Sequence, residues 1–285
     1  SPAGIWSGPR TIAKVSNEAH WNPVLFWLPA PSSRGSEGKL WLHFKVGNLI
    51  PSWRTYYAVS SDWGATWSEP RELVPGDRGG RGCVKNKPLV LPSGELLAGA
   101  SLEDGHWRAF IDRTPDGVTW SASAPFAAER GAGVIQPSLW LSPAGTVHCL
   151  MRSDQGRVFR SDSGDGGRTW GRAYATKLPN NNSGLDVARL ADGTLILAYN
   201  PVSGDWAARY PLRVALSKDN GETWSIYWDV ETDPGEYSYP AIIPWEDPER
   251  GLGFSLTYTW MRRSIGFVSM SVEELRRLAS PHTGV

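Results

Sequence analysis

One short run of residues recurs four times along this chain. Ser60-Ser-Asp62-Trp-Gly64-Ala-Thr66-Trp67 returns as Ser163-Gly-Asp165-Gly-Gly167-Arg-Thr169-Trp170 and as Ser217-Lys-Asp219-Asn-Gly221-Glu-Thr223-Trp224, with a copy one residue shorter from Thr114 through Asp116 to Trp120. Successive copies start 54, 49 and 54 residues apart. Self-similarity at such a period marks a chain built by repeating one supersecondary unit. Asp and Gly in a run of small polar residues are turn chemistry, since the carboxylate accepts from nearby backbone N–H groups and Gly tolerates positive φ. The Trp that closes each copy anchors the turn by burying a large ring between neighbouring strands. An Asp repeated four times is therefore read as structural, because a site needs a catalytic acid once.

A second signal keeps step with the first. Glu37-Gly-Lys-Leu-Trp-Leu-His-Phe44, Pro92-Ser-Gly-Glu-Leu-Leu-Ala98, Pro143-Ala-Gly-Thr-Val-His-Cys-Leu150 and Ala191-Asp-Gly-Thr-Leu-Ile-Leu-Ala198 each read as a hairpin turn and a strand, with a fainter copy from Arg250 to Tyr258. Helical periodicity is confined to Val272-Glu-Glu-Leu-Arg-Arg-Leu278. Short strands at a period of about fifty residues describe an all-β fold, a β-propeller with Asp-containing turns, whose radial arrangement leaves only short strand edges. A two-sheet sandwich would not repeat the turn sequence, and a solenoid has a shorter period. Trp6 in Gly4-Ile-Trp-Ser-Gly-Pro9 reads as the tail of another copy. Six blades are thus expected, in one domain over residues 1–285 that starts in mid-blade.

Composition excludes some partners. Twenty-nine basic and 29 acidic residues cancel, so no general attraction to nucleic acid or acidic membranes is expected. No apolar run reaches membrane-span length, and the start Ser1-Pro-Ala-Gly lacks the features of a signal peptide. Cys83 and Cys149 are too few and too distant for a disulfide framework or zinc site. No His pair stands at ligand spacing and the Asp-Gly turns lack the calcium-loop pattern, so no cofactor is expected. Of the 16 Trp residues, several stand outside the repeated turns in polar contexts, where they serve either blade packing or sugar stacking.

A propeller binds ligands where its innermost strands and loops converge. Polar residues beside those strands are the candidates: His20; Lys85 and Asn86; Glu103, His106 and Arg108; Gln136; Arg152; Asn182 and Asp186; Arg213; Tyr237 and Tyr239; and Arg262. Arginine's planar fork grips a carboxylate with two hydrogen bonds, so several at one channel mouth suit an acidic sugar. A Tyr beside a charged group becomes a nucleophile or base once its neighbours lower its ordinary pKa of about 10.

The repeated turns resemble the Asp boxes of neuraminidase-repeat propellers, and the whole chain is similar to the sialidase-like group of that superfamily. The resemblance implies an acidic glycan or oligosaccharide as partner, and secretion or a periplasmic site. Sialidases use three arginines for the carboxylate, a Tyr nucleophile activated by Glu, and an Asp acid/base. On this resemblance Arg152 and Arg213 stand for the second and third arginines, and Tyr237 or Tyr239 for the nucleophile. Two features depart from the pattern. Gln136 occupies the place of the activating Glu, for which Glu103 or Glu236 would have to substitute, and the blade carrying the first arginine and the acid/base Asp has no counterpart. The expected function is an exo-glycosidase acting on terminal acidic sugars. The alternatives are a polysaccharide lyase acting on uronates, with His20, His106 or a Tyr as base, and a glycan-binding propeller without catalysis. Oligomeric state is not expressed in the sequence.

Overall fold

The computed structural model describes residues 6–29 and 38–279; Gly4 and Ile5 of the Trp6 motif and Glu37 of the first hairpin motif lie outside them. The strands form five antiparallel sheets, each a meander whose order follows the chain. The first holds β1 (His20–Leu28), β2 (Lys39–Val46), β3 (Arg54–Ser60) and β4 (Arg71–Glu72), and the second β5 (Leu89–Val90), β6 (Leu96–Glu103), β7 (Trp107–Thr114) and β8 (Ser121–Ala122). The third holds β9 (Val134–Leu141), β10 (Val147–Ser153), β11 (Arg157–Ser163) and β12 (Tyr174–Pro179), and the fourth β13 (Asp186–Arg189), β14 (Leu195–Tyr199), β15 (Leu212–Ser217) and β16 (Ile226–Glu231). The fifth has three strands, β17 (Tyr237–Asp247), β18 (Gly251–Trp260) and β19 (Ser264–Ser271), followed by helix α1 (Val272–Leu278). A capping box between Ser271 and Glu274 starts α1, and Val272 and Leu275 seat it on the core.

The first strands of the blades meet at the axis. Asp186 of β13 receives Lys87 Nζ at 2.9 Å, Ser138 Oγ of β9 at 2.6 Å and the Ile242 amide of β17 at 2.9 Å, tying four blades together. Apolar side chains fill the wedges between sheets, as where Ala198, Val214 and Leu216 meet Ile242, Phe254 and Leu256.

The repeated turns share one hydrogen-bond pattern. In the third blade Asp165 accepts from the amides of Arg168 and Thr169 and from the Thr169 hydroxyl, while Trp170 Nε1 donates to Gly167 O at 3.1 Å. Gly167 has φ +81°, and a Cβ there would come within 2.6 Å of Leu97 in the preceding blade. The turn therefore needs glycine both for its backbone and for its contact with the neighbouring sheet.

The expected six blades are corrected to five. Trp67, Trp120, Trp170 and Trp224 each donate their indole N–H to the Gly of their own turn, whereas Trp6 is 76% exposed and residues 6–19 contain no strand. This segment is a strap. Trp6 meets Phe267 of the fifth blade edge-on at 5.5 Å, Arg10 donates to the carbonyls of Gly64 and Ala65, and Ala13 and Val15 cover Leu42, Phe44 and Tyr56 of the first.

Candidate active site

Each blade has a non-glycine residue in the left-handed region in or just ahead of its first strand. These are Asn22 (φ 47°), Lys85 (75°), Gln136 (58°), Asn182 (59°) and Tyr239 (50°). Three of them begin an X-Pro pair in a bulge, where two residues face one on the next strand. Asn22-Pro23 faces Phe44, Gln136-Pro137 faces Met151, and Tyr239-Pro240 faces Tyr258. Proline has no N–H for the ladder, so a bulge is where a sheet accommodates it. A left-handed L-residue costs roughly 1–2 kcal/mol. Such strain gathers where backbone must aim a side chain.

Four of these five residues form one cluster. Gly184 lies against Lys85, Gln136 and Tyr239 together, and a Cβ on it would stand 3.0 Å from Lys85 Cε, 3.2 Å from Tyr239 Cδ1 and 3.6 Å from Gln136 Oε1. Arg152, at the end of β10 and 4% exposed, reaches in beside them. Its Nε donates to Asn182 Oδ1 at 3.1 Å, its Nη2 to the Asn182 carbonyl and Oδ1, and its Nη1 to Gln136 Oε1 at 3.5 Å. The guanidinium lies 5.1 Å from the Trp107 ring centre. Trp206, 68% exposed, stands 6.4 Å from Trp107, centre to centre. Lys85 Nζ donates to the carbonyls of Leu185 and Pro240 at 2.6 and 2.5 Å.

Tyr239 carries the distinctive electrostatics. Burial alone raises a phenol pKa, but Arg209 and Arg152 outweigh it and hold Tyr239 below the ordinary phenol value. Arg209 stacks on the Tyr239 ring with its guanidinium carbon 5.2 Å from the centre, and bonds Glu236 Oε1 at 3.2 Å. Glu236 also receives Arg262 Nε at 2.6 Å, which holds its carboxyl below the usual range. Burial lowers Lys85 to about 7, with Asp186 opposing. It pushes the Glu103 carboxyl upward, opposed by Arg152, and Ser101 Oγ donates to that carboxylate at 3.4 Å.

The structure thus brings Lys85, Gln136, Arg152, Asn182 and Tyr239 together, with Glu103 coupled to Arg152 and Arg262 at the rim. Asn86 sits beneath, donating to Gln136 O at 2.9 Å, and Asp186 is the axial tie described above. Other candidates lie apart. Arg213 is paired bidentately with Asp229 at 2.7 and 2.9 Å and stacked on Tyr227, in a cavity of about 400 Å³ between the third and fourth blades. Tyr237 is buried in the core between the fourth and fifth blades. His20 accepts from the Val15 amide and stacks on Phe44, anchoring the strap. His106 is exposed in the turn between β6 and β7, where Arg108 pairs with Asp104. Sequence reasoning passed over Arg209, whereas Trp107 and Trp206 are among the Trp residues outside the repeated turns that it left open to blade packing or sugar stacking. Among the described residues no group of three or more His, Cys, Asp and Glu could hold a metal ion, and no helix is long and apolar enough to cross a membrane.

Five blades, four of them with an Asp turn, around a polar axis with Arg, Tyr and Trp at its mouth define a sialidase-type β-propeller fold. The chain belongs to the BNR repeat-like domain family, whose model matches residues 1–252. Among solved structures it is similar to a Dyadobacter fermentans protein of unknown function, at 16% identity and TM-score 0.69 over 92% of this chain and 78% of that one. It is also similar to the NanB sialidase of Streptococcus pneumoniae (18%, TM-score 0.62, 81% of this chain and 37% of that one). Trypanosoma rangeli sialidase gives 16% and 0.62 over 84% of this chain and 44% of that one. The chain spans less than half of either sialidase. No curated protein matches it.

Proposed function

We propose that this propeller is a carbohydrate-active enzyme acting on terminal acidic sugars, a sialidase-like exo-glycosidase with Tyr239 as nucleophile. The observation that carries this reading is the Tyr239 phenol between the guanidinium groups of Arg152 and Arg209, aimed by a left-handed bulge at the mouth of the axis. Two cations serve twice there: they stabilise the phenolate, and their positive charge draws in a sugar carboxylate. The neutral Gln136 adds no charge beside Arg152, which leaves Tyr239 and Glu103 as the groups facing its cation. In the proposed step the phenolate oxygen bonds the anomeric carbon while the bond to the leaving sugar breaks. The electron pair goes to the leaving oxygen, which takes a proton from Glu103, a carboxyl that burial keeps protonated to higher pH. Water then gives a proton to the Glu103 carboxylate and bonds the same carbon as its bond to the Tyr239 oxygen breaks, which frees the phenolate and retains configuration. Trp107 and Trp206 supply apolar faces for the ring.

Gln136 also favours a second reading. No carboxylate among the described residues hydrogen-bonds the Tyr239 phenol, so the phenolate can act instead as the base that removes the proton beside a uronate carboxylate; Arg152 and Arg209 steady the enolate, which collapses to a carbon–carbon double bond as the bond to the leaving sugar oxygen breaks and that oxygen takes a proton. Product analysis in oxygen-labelled water separates the two. Label in a released acidic sugar supports hydrolysis, and an unsaturated, unlabelled product supports elimination. Under either reading Tyr239→Phe binds and turns nothing over. An active Tyr239→Phe protein rejects both, and binding without product from wild type points to a glycan-binding propeller.

A further inference from the structure

The hairpin between β18 and β19 turns on the wrong residues for its shape. Met261 and Arg262 both lie in the left-handed region, at φ 52° and 51°, with Arg263 N closing onto Trp260 O at 3.0 Å. Two consecutive positive φ values are the demand of a tight hairpin turn that Asn-Gly ordinarily meets. Here a long apolar and a long basic residue meet it instead. What holds them is the segment just ahead of Tyr239. Met261 N donates to Glu236 O at 2.8 Å, Glu236 N donates to Met261 Sδ at 3.3 Å, and Arg262 Nε reaches Glu236 Oε1.

The strained turn therefore holds Arg262 at Glu236 and carries Arg263 along the same wall as the Tyr239 phenol. A cavity of about 430 Å³ is walled by Tyr239, Thr259, Arg262, Arg263, Ser264 and Ile265. The Glu236 carboxylate is already shared between Arg209 and Arg262. Arg263 is exposed, and its guanidinium has no hydrogen bond or ion pair among the described residues. In a chain of zero net charge this is a local surplus of cations with one unused fork.

We propose that the 261–263 turn is a second anion subsite, in which Arg263, flanked by Arg262, takes a negatively charged group on the sugar next to the one held at Tyr239. Resting on the function proposed above, this narrows the substrate from acidic sugars in general to glycans with two neighbouring anionic groups. The shared chemistry is a planar or tetrahedral oxyanion, a carboxylate or a sulfate ester.

The test compares 3′-sialyllactose, which has one carboxylate, with disialyllactose, which has two, and with sialyllactose sulfated on its galactose. Rates are measured on wild type, Arg263→Ala and Arg263→Lys, and calorimetric affinities on the same proteins carrying Tyr239→Phe. Arg263 has no partner to lose, so its removal leaves the fold intact. A preference of about tenfold for a doubly charged probe is expected, lost in Arg263→Ala through KM while sialyllactose is unaffected, and partly kept in Arg263→Lys. The probe that shows the larger Arg263 effect identifies carboxylate or sulfate as the second group. Equal treatment of single and double anions by wild type, or equal losses on both in Arg263→Ala, overturns the subsite. If no protein turns over any probe yet the doubly charged ones bind more tightly through Arg263, the subsite stands and the enzymatic reading falls.

Discussion

Arg209 lies over the ring of Tyr239, 30 residues further along the chain, and grips the same Glu236 that steadies the start of that strand. This contact makes the phenol more acidic. It lowers the Tyr239 pKa together with Arg152, against the opposing effect of burial. Arg209→Gln is expected to move the ascending limb of the pH–rate profile to higher pH and to lower the rate at neutral pH by about 10²-fold. The folded phenol is depressed below its unfolded value, so Tyr239 adds stability only as pH rises through its folded pKa towards about 10, and loses it on the way back down. Ultraviolet titration of the phenol in the two proteins checks the shift directly.

Gly184→Ala introduces one methyl at the contact of Lys85, Gln136 and Tyr239. Its neighbours have a few tenths of an ångström to give, so folding should survive with a loss of about 1–3 kcal/mol. The displaced phenol should appear in kcat more than in KM. A thermal melt beside steady-state kinetics separates the two effects, and unchanged kcat would contradict the placement of Tyr239.

Asp186→Ala removes the acceptor shared by Lys87, Ser138 and Ile242 at the axis. An almost fully buried carboxylate and its lysine are separated, at a cost of about 3–5 kcal/mol. Urea unfolding should register it, and a double substitution with Lys87→Met should recover part of the loss.

Lys45 is fully buried on β2, with its ammonium donating to Thr55 Oγ1 at 2.8 Å and to Arg81 O at 2.5 Å. Burial lowers it to about 7. Between that value and its unfolded pKa near 10.4 the folded protein binds fewer protons than the unfolded one, so stability rises with pH across this window by about 1.4 kcal/mol per unit. Lys45→Met keeps the volume, and Thr55 Oγ1 still donates to Arg81 O. Denaturation midpoints at mildly acidic and alkaline pH should show a smaller pH slope in the variant.

Turn chemistry repeats, and so the architecture was legible. The Asp turns and the Gly-turn strands sit where their residue types put them, and Val272–Leu278 is the helix its spacing suggests. The blade count was misread at Trp6, because a Trp after small residues says nothing about whether its N–H will close a turn. The candidate site was legible in part. Arg152, Gln136 and Tyr239 adjoin inner strands and could be picked out, whereas Arg209 sits in a loop whose path brings it back by a bridge to Glu236. Arg213, four residues on, drew attention through its nearness to a repeated turn, and its side chain faces the neighbouring blade instead. The shared signal was the X-Pro pair, present at Asn22, Gln136 and Tyr239.

Those pairs give the molecule a modular rim. Asn22, Gln136 and Tyr239 are each presented through a bulge in the first strand of their own blade, so a substitution at one of them leaves the bulges of the other two in place. Exchanging an amide for an acid or a phenol at one of them would alter reactivity while the supporting wheel stays the same. A single scaffold could in this way host a transferase, an eliminating enzyme or a silent receptor, differing by a handful of codons at the hub.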